Sequence, residues 1–333
     1  SFGGELTDET LQQIVSDYQQ MEADGMEEEL EKTDWQIVNS WLGTLYPELR
    51  DTGNYKTMIS YVDPDKLTGF YERRQQVLDE FLEVSGQVGA EKEFLHQIER
   101  KVEKPFHYEW VEGWSTLLGS MVADLGVVMA LFLGIVLSSL FAGEWHDNTS
   151  TLVLTTRNGW GKIALAKILT GLAFTVELFA LLAVSSVISQ LFFMGTAGWD
   201  MPIQNIKLIA VAPMNMLQAE IYEYAFVLLG AIGFAGIVMF ISAAVKNNVL
   251  TLLLSLAVVY GPMMIAEYLP YGMQKALDLI PLVGSSTDIF RTNTFRIFGK
   301  LIWSPYLLIT IPVLIGILCM PFAIKSWSRR MKA

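Results

Sequence analysis

Three acidic residues stand where acids are rare. Asp124 and Glu177 lie inside long apolar runs. Glu144 ends one such run and opens a polar stretch, FAGEWHDNTSTLVLTTRNGWGKIALAK, over 141–167. An acid in a membrane helix costs roughly 3 kcal/mol and as a rule faces a bundle interior or a wet cavity. Glu177 and Asp124 are therefore either pathway or gating residues or partners in structural hydrogen bonds between helices. Two carboxylates can also share acid–base work, but only within hydrogen-bond reach of one substrate position. Glu177 lies about nine residues, roughly 14 Å, into its run, and Asp124 lies at a different depth in its own. This argues against an intramembrane enzyme.

Other chemistry-bearing motifs fail on spacing. GWGK at 159–162 has the last glycine and lysine of a phosphate loop. That motif also needs a glycine five positions before the second glycine and Ser/Thr after the lysine, where this chain has Thr156 and Ile163. HExxH, GxSxG and paired-cysteine metal motifs are absent, and the single cysteine, Cys319, permits no intrachain disulfide. No catalytic residue, metal site or cofactor of its own is expected, so the chain is not an enzyme by itself.

The elements that position these residues are apolar and long. Hydrophobic residues make up 52% of the chain and charged ones 17%, too apolar for an ordinary soluble protein of this size. Five segments of roughly 20 or more apolar residues, about 114–141, 168–194, 223–245, 249–269 and 306–325, can each cross ~30 Å of hydrocarbon. The segment 142–167 joins the first two. Arg157, Lys162 and Lys167 in that segment, Lys246, and Lys325, Arg329, Arg330 and Lys332 in the tail share one side, read as cytoplasmic. Lys275, Arg291, Arg296 and Lys300 fit this rule badly. The connection 270–305 that holds them is amphipathic and broken by Pro270, Pro281 and Pro305, and is read as two short re-entrant helices on the outer side. Gly126, Ala130, Gly134, Ser138 and Ala142 fall every four residues and form a small-residue stripe that permits close helix packing, within one subunit or along a dimer seam. Ala231, Ala235 and the Gly233/Gly236 pair do similar work in the third segment.

Residues 1–113 form a different kind of domain. They hold 25 of the 35 acids and 10 of the 23 bases, a net −15, and the remainder carries +3. Such an acidic half repels nucleic acid and anionic headgroups. Helices are expected after Thr7, after Thr33, from Asp63-Pro64 to near Gly86, and over 91–104, giving a small helical bundle. The sidedness above places this domain outside the cell, so a membrane helix or signal preceding Ser1 is expected.

At 144–167 the residues resemble those of a known family. Glu144, Asn148, Thr149, Leu152, Leu154, Lys162, Ile163, Ala166 and Lys167 follow the pattern found after the second helix of type-2 ABC transporter permeases. Asn148 stands where glycine is usual, Arg157 where proline is usual, and Trp160 where a basic residue is frequent. The resemblance extends over the membrane part, and the large domain before it, with DPDKLTGFYERRQQVLDEFL, is similar to permeases of Gram-positive bacteria. It implies an all-α polytopic fold, a type-2 ABC permease helical bundle of six spans whose first precedes Ser1, in a bacterial plasma membrane with a cytoplasmic C-terminus. It implies that 142–167 forms a coupling helix on a separate ABC ATPase subunit, which binds ATP and Mg. Glu144 and Lys162 would be contacts to that subunit, Trp160 an anchor at the membrane boundary. A second permease copy or paralogue and the lipid bilayer complete the expected partners, and a peptide or antibiotic-like solute the expected cargo. The alternative is a sensor or signalling scaffold that binds a peptide at its outer domain without transport.

Overall fold

In the computed structural model, Thr7 caps the first helix, α1 (Asp8–Ala23). Its backbone is extended and its hydroxyl accepts from the Thr10 N–H, which satisfies one of the donors that a helix start leaves open. The structure describes residues 3–26, 35–51, 56–109, 112–118, 122–147, 161–193, 195–245, 247–283 and 293–329. Leu11, Ile14 and Val15 of α1 are buried with Trp35, Val38, Trp41, Leu42 and Leu45 of α2 (Trp35–Leu45). The three- and four-residue spacing is thus the face turned to a core. The helix expected from Asp63 begins later. Asp63 caps only a 3-10 turn, Pro64–Lys66, and α3 (Phe70–Val84) starts after Gly69, whose φ is 73°. The cap of α3 comes from far away in sequence: the carboxylate of Asp8 accepts from Gly69 N–H at 2.7 Å and Phe70 N–H at 2.9 Å. α4 (Ala90–Glu99) follows.

The expected purely helical bundle is corrected by a small sheet. β1 (Gly4–Leu6) pairs antiparallel with β2 (Phe106–Tyr108), with Glu5 opposite His107. The Tyr71 hydroxyl donates to Leu6 O at 2.8 Å and accepts from Phe106 N–H at 2.7 Å, clamping the pair from α3. Three-residue strands are too short to show an alternation in sequence.

By its contacts the chain forms two compact units, one of Ser1–Leu117, Leu191–Glu220 and Phe290–Leu301, the other of Leu118–Gln190, Ile221–Ile289 and Ile302–Ala333. The first is therefore discontinuous, and polar contacts, most of them buried, join its segments. Arg74 on α3 is fully buried. It donates to Glu99 Oε1 at 2.6 Å, to Leu208 O at 2.8 Å and to Ala210 O at 3.2 Å, with its guanidinium 5.2 Å over the Phe106 ring. Trp41 Nε1 donates to Asn205 O at 3.0 Å, and Asn205 Nδ2 donates to His107 O at 2.9 Å. The third segment is tied by Thr294 Oγ1 to Gln87 Oε1 at 2.7 Å and by Arg296 to Glu91 at 2.6 Å.

The short α5 (Glu112–Thr116) precedes the second unit's helices: α6 (Val122–His146), α7 (Lys162–Phe193), α8 (Met216–Ala244), α9 (Asn248–Ile265), α10 (Tyr271–Leu277) and α11 (Ser304–Arg329). Five helices are long and apolar enough to cross a membrane: Asp124–Trp145, Lys162–Phe193, Met216–Ala244, Asn248–Tyr268 and Ser304–Ser328. This is a mostly helical, multi-pass membrane protein. The first span starts later than 114, and the second and third start six and seven residues earlier than expected. Hydropathy marks the stretch that suits hydrocarbon, whereas backbone hydrogen bonding continues into polar flanks.

Close packing follows the small residues. A Cβ on Gly236 would lie 2.4 Å from Gly316 O, and one on Gly233 2.3 Å from Pro312 O. α8 and α11 thus touch backbone to backbone, as small residues allow in membranes. On α6, Gly134 faces Leu256 and Leu252 of α9, while Ala130 and Ser138 are buried and Gly126 is buried as well.

Over 270–305 the structure departs from two short helices. α10 is followed, within the described residues, by a hairpin of β3 (Thr294–Ile297) and β4 (Lys300–Trp303). Phe298 and Gly299 turn the chain with φ of 49° and 80°, both positive as a two-residue hairpin turn requires.

Candidate functional site

The 141–167 stretch is framed by a charged pair among aromatic rings. Glu144 lies in the last turn of α6 and Lys167 in the second turn of α7. Lys167 Nζ is 2.6 Å from Glu144 Oε1, and it also donates to the Leu140 carbonyl. The ammonium stands 5.2 Å from the Phe141 ring and 5.5 Å from the Trp327 ring of α11, within range of cation–π attraction. Trp327 is fully buried, 5.5 Å from Phe141 and 5.9 Å from Trp145 by ring centroids. The side chains of Lys167 and Glu144 keep only 16% and 19% exposure, so each charge depends on the other in a medium that solvates poorly. Three helix ends meet at this cluster.

A hydroxyl braces the same end of α6 from α8. Ser242 Oγ accepts from the N–H groups of Phe141 and Ala142 at 3.0 and 3.1 Å and donates to Ser138 O at 2.7 Å. These groups belong to the backbone of α6, so the α8 hydroxyl grips that helix directly near its end. On the other side, Gly171 of α7 faces Met239 of α8 and Leu137 and Leu140 of α6. The segment leaving α6 thus starts from a well-held point, and the one entering α7 ends at another.

The expected site residues fall into three groups. Glu144 and Lys167 are brought together, and Lys162 is the exposed first residue of α7. Asn148, Thr149, Leu152, Leu154 and Trp160 lie outside the described residues. Glu177 and Asp124 are both exposed on their helices, and neither has a hydrogen-bond or ion-pair partner among the described residues. Counted along the helices from the Glu144–Lys167 pair, Glu177 is about 15 Å away and Asp124 about 30 Å at 1.5 Å per residue. They do not share a site.

Several residues that the structure makes prominent carry little signal in the sequence. Glu220 and Glu223, one turn apart at the start of α8, are only 5% and 8% exposed. Their signal was an E-x-x-E at the head of an apolar run, obscured by starting that helix at 223. Ser242 and Gly316 carried no local signal, since a serine or glycine in an apolar helix is commonplace. Among the described residues no group of three or more His, Cys, Asp or Glu could hold a metal ion.

In comparisons with known proteins, no family model, no curated protein and no solved structure matches this chain.

Proposed function

We propose that the chain is the membrane-spanning permease subunit of an ATP-driven exporter of the type-2 ABC class, moving a peptide or antibiotic-like solute. The observation that carries this reading is the frame around residues 147–161: Glu144 and Lys167 joined at 2.6 Å and seated on Trp327. A polar segment whose two ends are locked to each other and to the last span passes a push to three helices at once. A bundle driven from outside needs such a handle. In this reading 142–167 docks on a partner ATPase that holds ATP and Mg, with Lys162 as an exposed contact. The basic flanks put that segment and the C-terminus in the cytoplasm of a bacterial cell and residues 1–113 outside.

A second permease copy or paralogue accounts for α7. Only 11% of its most apolar window is buried in the chain, and Leu165, Leu169, Val176, Leu181, Val184 and Ile188 are exposed around the equally exposed Glu177. Lipid suits the leucines but not the carboxylate. A protein neighbour there gives Glu177 a polar path or a hydrogen bond.

The test is extraction of the C-terminally tagged chain from its native membrane in mild detergent. A nucleotide-binding subunit with ATPase activity, recovered in about equal amount and reduced by Lys162→Glu at unchanged melting temperature, supports the reading. A chain recovered alone and without ATPase in its membrane refutes coupling and favours the sensor scaffold.

A further inference from the structure

The β3–β4 hairpin is basic and apolar in a chain whose residues 1–113 carry a net −15. Its sequence, TFRIFGKLIW, holds Arg296 and Lys300, no acid, and otherwise mostly aliphatic and aromatic side chains. We propose that this hairpin is a membrane-surface anchor. Phe298 at its tip enters the interface of the leaflet that the head of α11 meets, and Lys300 lies on the headgroup phosphates. Only the membrane spans are needed for this, not the exporter reading.

The base of the hairpin is held and its tip is not. Thr294 and Trp303 are buried, and Thr294 Oγ1 donates to Gln87 Oε1 at 2.7 Å. Arg296 and Lys300 are exposed, and Phe298 is exposed completely. With φ of 49° at Phe298 and 80° at Gly299, the turn is one that favours Asn-Gly, and a bulky side chain in that region is an outlier. Phe298 thus gains neither packing nor backbone ease within the chain. Strain of this kind at an exposed aromatic points to a contact outside it.

Chain path and charge both select lipid for that contact. β4 ends at Trp303 and α11 begins at Ser304, so Phe298 is at most about 18 Å of chain from Trp303. Trp303 and Tyr306, with ring centroids 5.9 Å apart, are the aromatic residues typical of a span's headgroup boundary. Arg296 is tied to Glu91 at 2.6 Å. The Lys300 ammonium is exposed and has no hydrogen-bond or ion-pair partner among the described residues. A lysine beside an aromatic ring on an apolar segment holds such segments to anionic lipid. It also gives a role to a basic residue that fits the sidedness rule badly.

The experiment places a nitroxide at Phe298→Cys in the full chain, in a Cys319→Ser background, with the exposed Glu80→Cys as comparator. The bilayers are phosphatidylcholine with about one third phosphatidylglycerol, which supplies the anionic surface. Power-saturation EPR compares collisions with oxygen and with a water-soluble nickel chelate. The label at 298 is expected to meet the chelate about fivefold less often than the label at 80, and oxygen more often. Lys300→Glu should restore about half of the lost chelate access at unchanged melting temperature. Phe298→Asn should keep or raise the melting temperature in detergent. Four results would overturn the anchor: equal chelate access at the two sites, which puts the tip in water; shielding of 298 from both oxygen and chelate, which seats it in protein; chelate access unmoved by Lys300→Glu; or a lower melting temperature for Phe298→Asn, which packs the ring within the chain.

Discussion

Lys167 Nζ and Glu144 Oε1 meet at 2.6 Å although the two residues stand 23 positions apart, and the ion pair closes the mouth of the segment between α6 and α7. An exposed pair of this kind would be worth little. This one is mostly buried, against Phe141 and Trp327, so removing one charge leaves the other poorly compensated in a medium that solvates it badly.

Lys167→Met is therefore expected to destabilise the membrane unit by roughly 2–4 kcal/mol, somewhat under the cost of breaking a fully buried pair. Lys167→Met combined with Glu144→Gln should recover a large part of that loss. Thermal unfolding of the four proteins in one detergent measures the coupling. Equal losses from the single and double variants would show that the pair is not a unit.

At Gly236 the obstacle to a side chain is backbone, 2.4 Å away at Gly316 O, and backbone cannot rotate aside. Gly236→Ala should cost about 1–3 kcal/mol by overpacking. Gly261 in α9 has open space around its would-be Cβ, so Gly261→Ala should be neutral or stabilising by up to about 1 kcal/mol through helix propensity. The melting temperature should fall for Gly236→Ala and stay unchanged or rise for Gly261→Ala.

Arg74 is held by a carboxylate and two carbonyls in a fork that lysine does not reproduce. Both Arg74→Lys and Arg74→Met should destabilise the first unit, the latter by about 3–5 kcal/mol. Because two of the acceptors lie at 208 and 210, limited proteolysis should begin within 199–215. Cleavage unchanged in rate and place would contradict the proposed tie.

Glu99 gives the first unit an acid limit. Burial pushes its carboxyl up, but Lys104 at 2.8 Å and Arg74 at 2.6 Å outweigh this and leave its pKa below the ordinary 4.5. A depressed pKa contributes stability that is full above the unfolded-state value and is lost as pH falls through the folded one. Unfolding free energy should decline as pH drops below about 4.5, and Glu99→Gln should flatten that decline while lowering stability at pH 7. Denaturant titrations at several pH values read both effects.

What the sequence by itself determined is what depends on neighbours along the chain. Five spans follow from apolar length, because bilayer thickness sets a helix of about 20 residues wherever it occurs. The buried faces of α1 and α2 follow from spacing, and the start of α1 from Thr7. Tertiary structure alone decided the rest, since each such feature joins residues that carry no mark of one another. Arg74 finds its carbonyls 134 and 136 residues away, and Asp8 caps a helix that begins at Phe70. Whether a glycine touches backbone, as Gly236 does, or open space, as Gly261 does, depends on the helix opposite. The two hairpin strands and the three-residue pair β1–β2 are stabilised by their partners rather than by local pattern. The same holds for Glu144 and Lys167, which the fold brings to 2.6 Å of each other.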